Sequence, residues 1–276
     1  MRECDGRVAL VTGASRGIGA AIAERLAAAG AHVALVARSL DTHPQQLPGT
    51  LTEMVERIRR RGGTAVAIQG DVADTAARQQ VVRECEAHLG AIDILVNNAA
   101  VGAFRPFLDF SARDVSHTFD VNVRAPFDLC QRVVPSMRTR RRGWILNISS
   151  ATAVHPTGPP FIPWETVGGQ MLYAASKAAL DRFSTGLAAE LHSDGIAVNA
   201  LSPVAAVITP GVKAMGIDQW IDDSMIEPVE AMAEAALALC SGDPATLTGR
   251  VAYSLPLLAE LGRPIRALDG ASRPQT

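Results

Sequence analysis

Short apolar runs alternate with helical patterns along most of the chain. Arg7–Thr12 (RVALVT), His32–Ala37 (HVALVA), Thr64–Gln69 and Ile92–Val96 (IDILV) are apolar runs of strand length, and Gly17–Ala29, Leu51–Arg61 and Thr75–Leu89 between them read as helices. The second half repeats the theme. Ser111–Met137 is a long helical region, Trp144–Ile148 a strand, Met171–His192 a long helix, Ile196–Leu201 a strand, Pro228–Cys240 a helix and Arg250–Tyr253 a last short strand. Continuous Val/Ile/Leu runs mark strands buried on both faces, which predicts a parallel sheet with helices on both faces. Right-handed crossovers then give a Rossmann-type, doubly wound α/β fold in a single domain. That domain is expected over 1–262. Three segments break the alternation: a polar insertion at 39–50, a stretch at 152–170 with four prolines, and a polar tail at 263–276 expected to be flexible.

Composition narrows the function classes. The 276 residues are 48% apolar and 20% charged, which fits a globular chain and excludes a disordered one. A net charge of -2 gives no reason to expect nucleic acid or an anionic membrane as partner. Cys4, Cys85, Cys130 and Cys240 are scattered without CxxC spacing, and the six histidines lack ligand spacing, so no metal site is expected. No apolar stretch approaches the ~20 residues of a membrane span, and the N-terminus has no signal-peptide core, so a cytoplasmic protein is expected.

Between the first strand and first helix lies Thr12-Gly-Ala-Ser-Arg-Gly-Ile-Gly19. Glycines there allow a tight turn and a close approach of pyrophosphate to the backbone, and the following helix offers free N–H groups and a positive dipole end. Gly13, Ser15, Arg16, Gly17, Ile18 and Gly19 are the candidate contacts. The second strand ends Val36-Ala37-Arg38, without the carboxylate that would bind a ribose 2′-hydroxyl. Arg38 and Arg16 suit a 2′-phosphate instead, which favours NADP(H) and leaves NAD(H) open.

Tyr173 and Lys177 are four residues apart, which puts both on one face of a helix. A neighbouring ammonium stabilises a phenolate and brings a tyrosine toward the neutral range, where it can serve as acid and base. The strand WILNI ends in Ser149-Ser150, at the sheet edge where ligands sit in such folds. Asn97-Asn98-Ala99-Ala100 follows the fourth strand at the same edge, and Asn122 lies within the long central helix.

The chain here resembles the short-chain dehydrogenases/reductases in their ~250-residue form. The matching motifs are Thr12–Gly19 (TGxxxGxG), Asp71-Val72, Asn97–Ala99, Asn122, Ser150, Tyr173/Lys177 and Asn199–Pro203, in family order over residues 7 to 255. The resemblance implies hydride transfer between a carbonyl and a secondary alcohol. Ser150 would hydrogen-bond the substrate oxygen, Tyr173 move the proton, Lys177 hold the nicotinamide ribose and lower the tyrosine pKa, and Asn122 position a relaying water. It places Asp71 and Val72 beside the adenine, Asn97 near the adenosine ribose, and Asn98, Ala99 and Pro203 at the cofactor. It also implies a homodimer or homotetramer through the helices at 111–138 and 172–192. The chain departs from the family at Ala100, at Val204 after Pro203, at Thr209, and in the 23-residue separation of Ser150 from Tyr173. Phe161, Ile162, Pro163 and Trp164 in that longer stretch are candidates for a substrate wall, and 205–223 for a lid over a partly hydrophobic small molecule. Two other classes stay open: a catalytically silent nucleotide-binding sensor or scaffold, and a methyltransferase sharing the glycine-rich start.

Overall fold

The computed structural model describes residues 2–42, 47–162, 165–166, 169–204, 206–216, 218 and 221–272. Seven parallel strands form one sheet: β1 (Val8–Thr12), β2 (His32–Ala37), β3 (Thr64–Gln69), β4 (Ile94–Asn97), β5 (Gly143–Ile148), β6 (Ile196–Ser202) and β7 (Val251–Tyr253), in the order β3-β2-β1-β4-β5-β6-β7. The strand order reverses between β1 and β4, so their carboxyl ends frame a crevice. Side-chain alternation along each strand feeds two cores. Ala9, Val11, Val33 and Leu35 pack with Ile22, Leu26 and Met54 from α1 (Gly17–Ala28) and α2 (Leu51–Arg60), and with Met232 and Leu237 from α8 (Val229–Ser241). Leu10, Val36 and Val198 face the other way, onto Val81 and Cys85 of α3 (Thr75–Leu89), Leu129 and Val133 of α5 (Ala125–Arg140) and Leu191 of α6 (Met171–Leu191).

The long helical region expected at 111–137 is two helices, α4 (Ala112–Phe119) and α5, joined by a π-helical turn at Asp120–Arg124. Pro126 sits in the first turn of α5 and has no N–H to offer the carbonyl four residues back, that of Asn122. Two short helices were not expected: α7 (Pro210–Ala214), capped by Thr209, and α9 (Ser254–Glu260), which starts directly from β7. The tail expected to be flexible is anchored over 263–272. Arg263 pairs with Glu3 at 2.7 Å and with Glu234 at 2.6 Å, and Arg266 bridges to Ser272. Residues 273–276 lie outside the described ones. No helix among the described residues is long and apolar enough to cross a membrane.

Candidate active site

The glycine-rich turn leaves the end of β1 and enters α1. Gly13 and Gly17 have φ of +65° and +58°, the left-handed region that disfavours a Cβ. Thr12 Oγ1 accepts from the backbone N–H groups of Asn98 (3.0 Å) and Ala99 (3.1 Å), while Asn98 Nδ2 donates to the carbonyls of Thr12 (2.9 Å) and Gly13 (3.1 Å). These bonds lock the ends of β1 and β4 together. Helices α2, α3 and α4 begin with the side-chain caps Thr50, Asp74 and Ser111. Helix α1 begins at Arg16 with no such cap and no acidic residue in its first turn. An uncapped, unneutralised N-terminus behind a turn with no side-chain bulk fits a pyrophosphate.

Arg16 and Arg38 meet at the adenosine end. Arg16 Nε is buried without a partner, and its Nη2 donates to the Gly49 carbonyl at 3.2 Å. Burial first and the Arg38 charge second lower the Arg16 pKa. Exposed Arg38 and half-buried Arg16 therefore form a doubly positive, incompletely partnered corner. The insertion at 39–50 turns back on this corner through Gly49, with its central residues 43–46 outside the described ones. Buried Val72 packs with Val121 and Ala125 and touches Ala99 and Val101 beside the crevice, and exposed Asp71 caps its own turn by accepting from Ala73 N–H at 3.0 Å.

One expectation is corrected. Asn97 does not reach the adenosine ribose. Its Nδ2 donates to Asn147 Oδ1 at 2.8 Å, and Asn147 Nδ2 donates to Ser184 Oγ at 2.8 Å, deep under the sheet. Neighbouring residues on a strand point to opposite faces, so Asn98 braces the cradle while Asn97 turns into the core.

At the carboxyl end of β5, Ser150 Oγ accepts from Thr152 N–H (3.2 Å) and Thr152 Oγ1 (3.0 Å). Its acceptor capacity is thereby used and its own proton is left to give. Ser150 also acts on Tyr173, which stands on the first turn of α6, by opposing the upward shift that burial gives its phenol. Lys177 follows one turn later, buried, with Nζ donating to the Ile148 carbonyl at 2.7 Å and lying 5.6 Å from the centre of the Tyr173 ring. Asn122 clamps the floor: Nδ2 donates to the Val101 carbonyl and to Ser176 Oγ, both at 2.9 Å, and Oδ1 accepts from Val101 N–H at 2.9 Å. The structure thus brings Asn122, Ser150, Tyr173 and Lys177 together around α6. Pro203 is buried at the end of β6, and Val204 N–H after it donates to buried Glu227 at 2.9 Å. Thr209 lies against Gly17, where an added Cβ would meet Thr209 Cγ2 at 3.2 Å.

The charge states differ from the expected ones. Burial pushes Tyr173 up to about 12, with Ser150 opposing it, and burial pulls Lys177 down to about 8, with the Asp181 charge opposing that. Lys177 does not bring Tyr173 toward neutrality here, because its ammonium is directed to a backbone carbonyl and desolvation of the phenolate dominates. An absorbance titration of the free chain, which has two tyrosines, should show one ionising only near pH 12, and Tyr173→Phe should remove that step. Ionisation of Tyr173 below its ordinary value would overturn this.

Sequence reasoning missed Phe104, whose ring lies 5.6 Å from that of Tyr173 and forms one wall above it. Its position in a loop without periodicity gave no signal. Phe161 and Ile162 are about half exposed, while Pro163 and Trp164 lie outside the described residues, as do Ala205, Ile217 and Trp220 of the expected lid.

A parallel sheet with an uncapped glycine-rich cradle and a Ser–Tyr–Lys cluster at the same edge defines a dinucleotide-dependent oxidoreductase. Comparison with known proteins agrees. The family profile described as short chain dehydrogenase matches residues 7–219. A short chain dehydrogenase of Pseudocercospora fijiensis is 35% identical over 233 residues, covering 83% of this chain and 69% of that protein. The 3-oxoacyl-[acyl-carrier-protein] reductase of Escherichia coli is 32% identical over 255 residues, covering 90% and 96%. The crystal structure of a 3-oxoacyl (acyl-carrier-protein) reductase from Agrobacterium tumefaciens with NADP bound superposes with a TM-score of 0.75 at 31% identity, covering 90% of this chain and 92% of that one. The chain belongs to the short chain dehydrogenase family and is an NAD(P)-dependent enzyme of it.

Proposed function

We propose that the protein is an NADP(H)-dependent oxidoreductase that interconverts a carbonyl and a secondary alcohol on a small, partly hydrophobic substrate, with Tyr173 as general acid and base. The observation that carries this is the gathering of Ser150, Tyr173 and Lys177 at the carboxyl end of β5, with Lys177 one turn behind Tyr173 and bonded to the Ile148 carbonyl. The NADP bound by the Agrobacterium relative and the Arg16/Arg38 corner support the phosphorylated cofactor.

Gly13–Gly19 would hold the pyrophosphate of the cofactor and Arg16 and Arg38 its 2′-phosphate, and the cofactor when bound would supply or accept the hydride. The protein residues handle the oxygen and its proton. In the reducing direction Ser150 donates a hydrogen bond to the carbonyl oxygen and orients it. The Tyr173 O–H bond breaks as the oxygen takes its proton, leaving a phenolate. Lys177 stabilises that phenolate and returns a proton to it. Asn122 positions a water through which Lys177 recovers its own proton from solvent. Phe104 gives the substrate's apolar part a surface beside the reacting atoms. The chain pairs with further copies through α5 and α6; within one copy half-exposed Phe127 of α5 lies against Phe183 of α6, ring centres 5.3 Å apart, and offers an apolar face there.

The test is calorimetry with NADPH and NADH, followed by NADPH consumption over a panel of aliphatic, aromatic and 3-oxoacyl thioester carbonyls. Tight NADPH binding and turnover of at least one member is the expected result; binding of neither cofactor would sink the assignment. Replacing both Arg16 and Arg38 by alanine should weaken NADPH about ten- to a hundredfold and leave NADH nearly unchanged, since two charge-assisted contacts are lost. Equal losses for both cofactors would show that the corner does not read the phosphate.

A further inference from the structure

The face of α6 that carries Tyr173 and Lys177 continues to Asp181, again four residues on. At this spacing Asp181 sits next to Lys177 on the side away from the tyrosine. It is partly exposed as a residue, but its Oδ1 is buried without a hydrogen-bonding partner. The adjoining hydroxyl of Ser149, the residue before the substrate-binding serine, is likewise buried and unpartnered. A buried carboxylate short of hydrogen bonds is tolerated when a cation compensates it. Lys177 is that cation, acting through space rather than in a contact ion pair: it is nearly fully buried, one of its three protons goes to the Ile148 carbonyl, and the others remain.

We propose that Asp181 is the counter-ion of Lys177 and so a positioning residue of the reaction assigned above, on which this inference rests. It touches neither substrate nor cofactor and acts on Tyr173 only by holding the ammonium charge in place. The electrostatics agree. Burial raises the Asp181 pKa while Ser149 and Lys177 oppose that, and the Asp181 charge is what resists the fall of Lys177. No other charged side chain among the described residues acts on either group from the elements packed against α6, which include β5, β6, β7, α4, α5 and the turns at 120–124, 151–153 and 192–194.

The sign follows. Without the carboxylate, Lys177 loses its proton at lower pH, and the rate, which needs the ammonium beside the phenolate, falls away earlier on the basic side. For opposite charges one helical turn apart in a partly buried site, the expected displacement is roughly one pH unit, or about tenfold in rate above the new midpoint.

The chain has two lysines, Lys177 and Lys213, so each can be followed by NMR in protein labelled at the lysine ε-carbon. Lys213→Arg identifies the other signal. In Asp181→Asn the Lys177 midpoint should drop by about one unit and the basic limb of the kcat/KM profile with NADPH should drop with it, while Asp181→Glu restores both. Asp181→Ser serves as a second removal should the amide not fold. An unmoved Lys177 midpoint overturns the counter-ion assignment whether or not the protein turns over. A midpoint that drops with no change in the basic limb overturns the link to catalysis. Absence of turnover in the wild-type chain, with the NMR shift present, instead overturns the reading of the reaction on which the link depends.

Discussion

Tyr173→Phe should lower kcat by about a thousandfold or more, the upper part of the range for losing a positioned general acid, and leave NADPH affinity within a few-fold. The substitution removes one oxygen. The phenyl ring can keep its place beside Phe104, and α6 still begins at Met171. The Ser150 oxygen keeps both contacts to Thr152. The fold and the cradle at Gly13–Gly19 are therefore undisturbed, and the deficit falls on the proton-transfer step. In the reducing direction the variant offers only the Ser150 hydroxyl, an acid far weaker than a phenol. A rate within about tenfold of wild type would mean that another group delivers the proton, and the assignment of Tyr173 would be lost. A parallel collapse of NADPH binding would point to a misfolded site instead.

Much of this arrangement is legible in the sequence because it is local. Each buried strand announces itself by a run of branched side chains, and β2 and β3 have the expected bounds. The four-residue spacing of Tyr173 and Lys177 required only that their segment be helical. What escaped was set by contacts between distant residues. Strand β4 begins at Ile94 rather than Ile92, and the Asp93 carboxylate that precedes it is held by distant partners, accepting from Val8 N–H at 3.1 Å and pairing with Arg140 and Arg142. Which of Asn97 and Asn98 faces the crevice depends on strand register, which no local pattern reveals. Glu227, which holds Val204 in place of the flexibility a glycine would give, reaches across 23 positions of sequence. The π-helical turn at Asn122 did leave a trace, in Pro126 four residues on. Asp181 left one too, in the same spacing that joins Tyr173 to Lys177.

Gly19→Ala should abolish measurable NADPH binding at micromolar cofactor, a loss of about a hundredfold or more, and lower stability by about 1–3 kcal/mol. The cause is space, since Gly19 is an ordinary helical residue in the first turn of α1. A Cβ there would overlap Asn98 Nδ2 and the Gly13 carbonyl oxygen, far inside any tolerated contact. Neither neighbour can swing aside. The Asn98 amide is fixed by its two bonds to the carbonyls of Thr12 and Gly13, and the Gly13 carbonyl is backbone in a turn set by a left-handed φ. To admit a methyl group, α1 must move away from the end of β4. That motion displaces the N–H groups of Gly17, Ile18 and Gly19 from where a pyrophosphate would lie, and it strains the Thr12–Asn98 clasp between β1 and β4. Gly211→Ala is the control. Its added Cβ meets nothing nearer than Thr209 Oγ1 at 3.7 Å, an ordinary contact, so binding should persist. Comparable binding in the two variants would show that the turn yields more easily than its hydrogen bonds imply, and the steric argument for the third glycine would have to be given up.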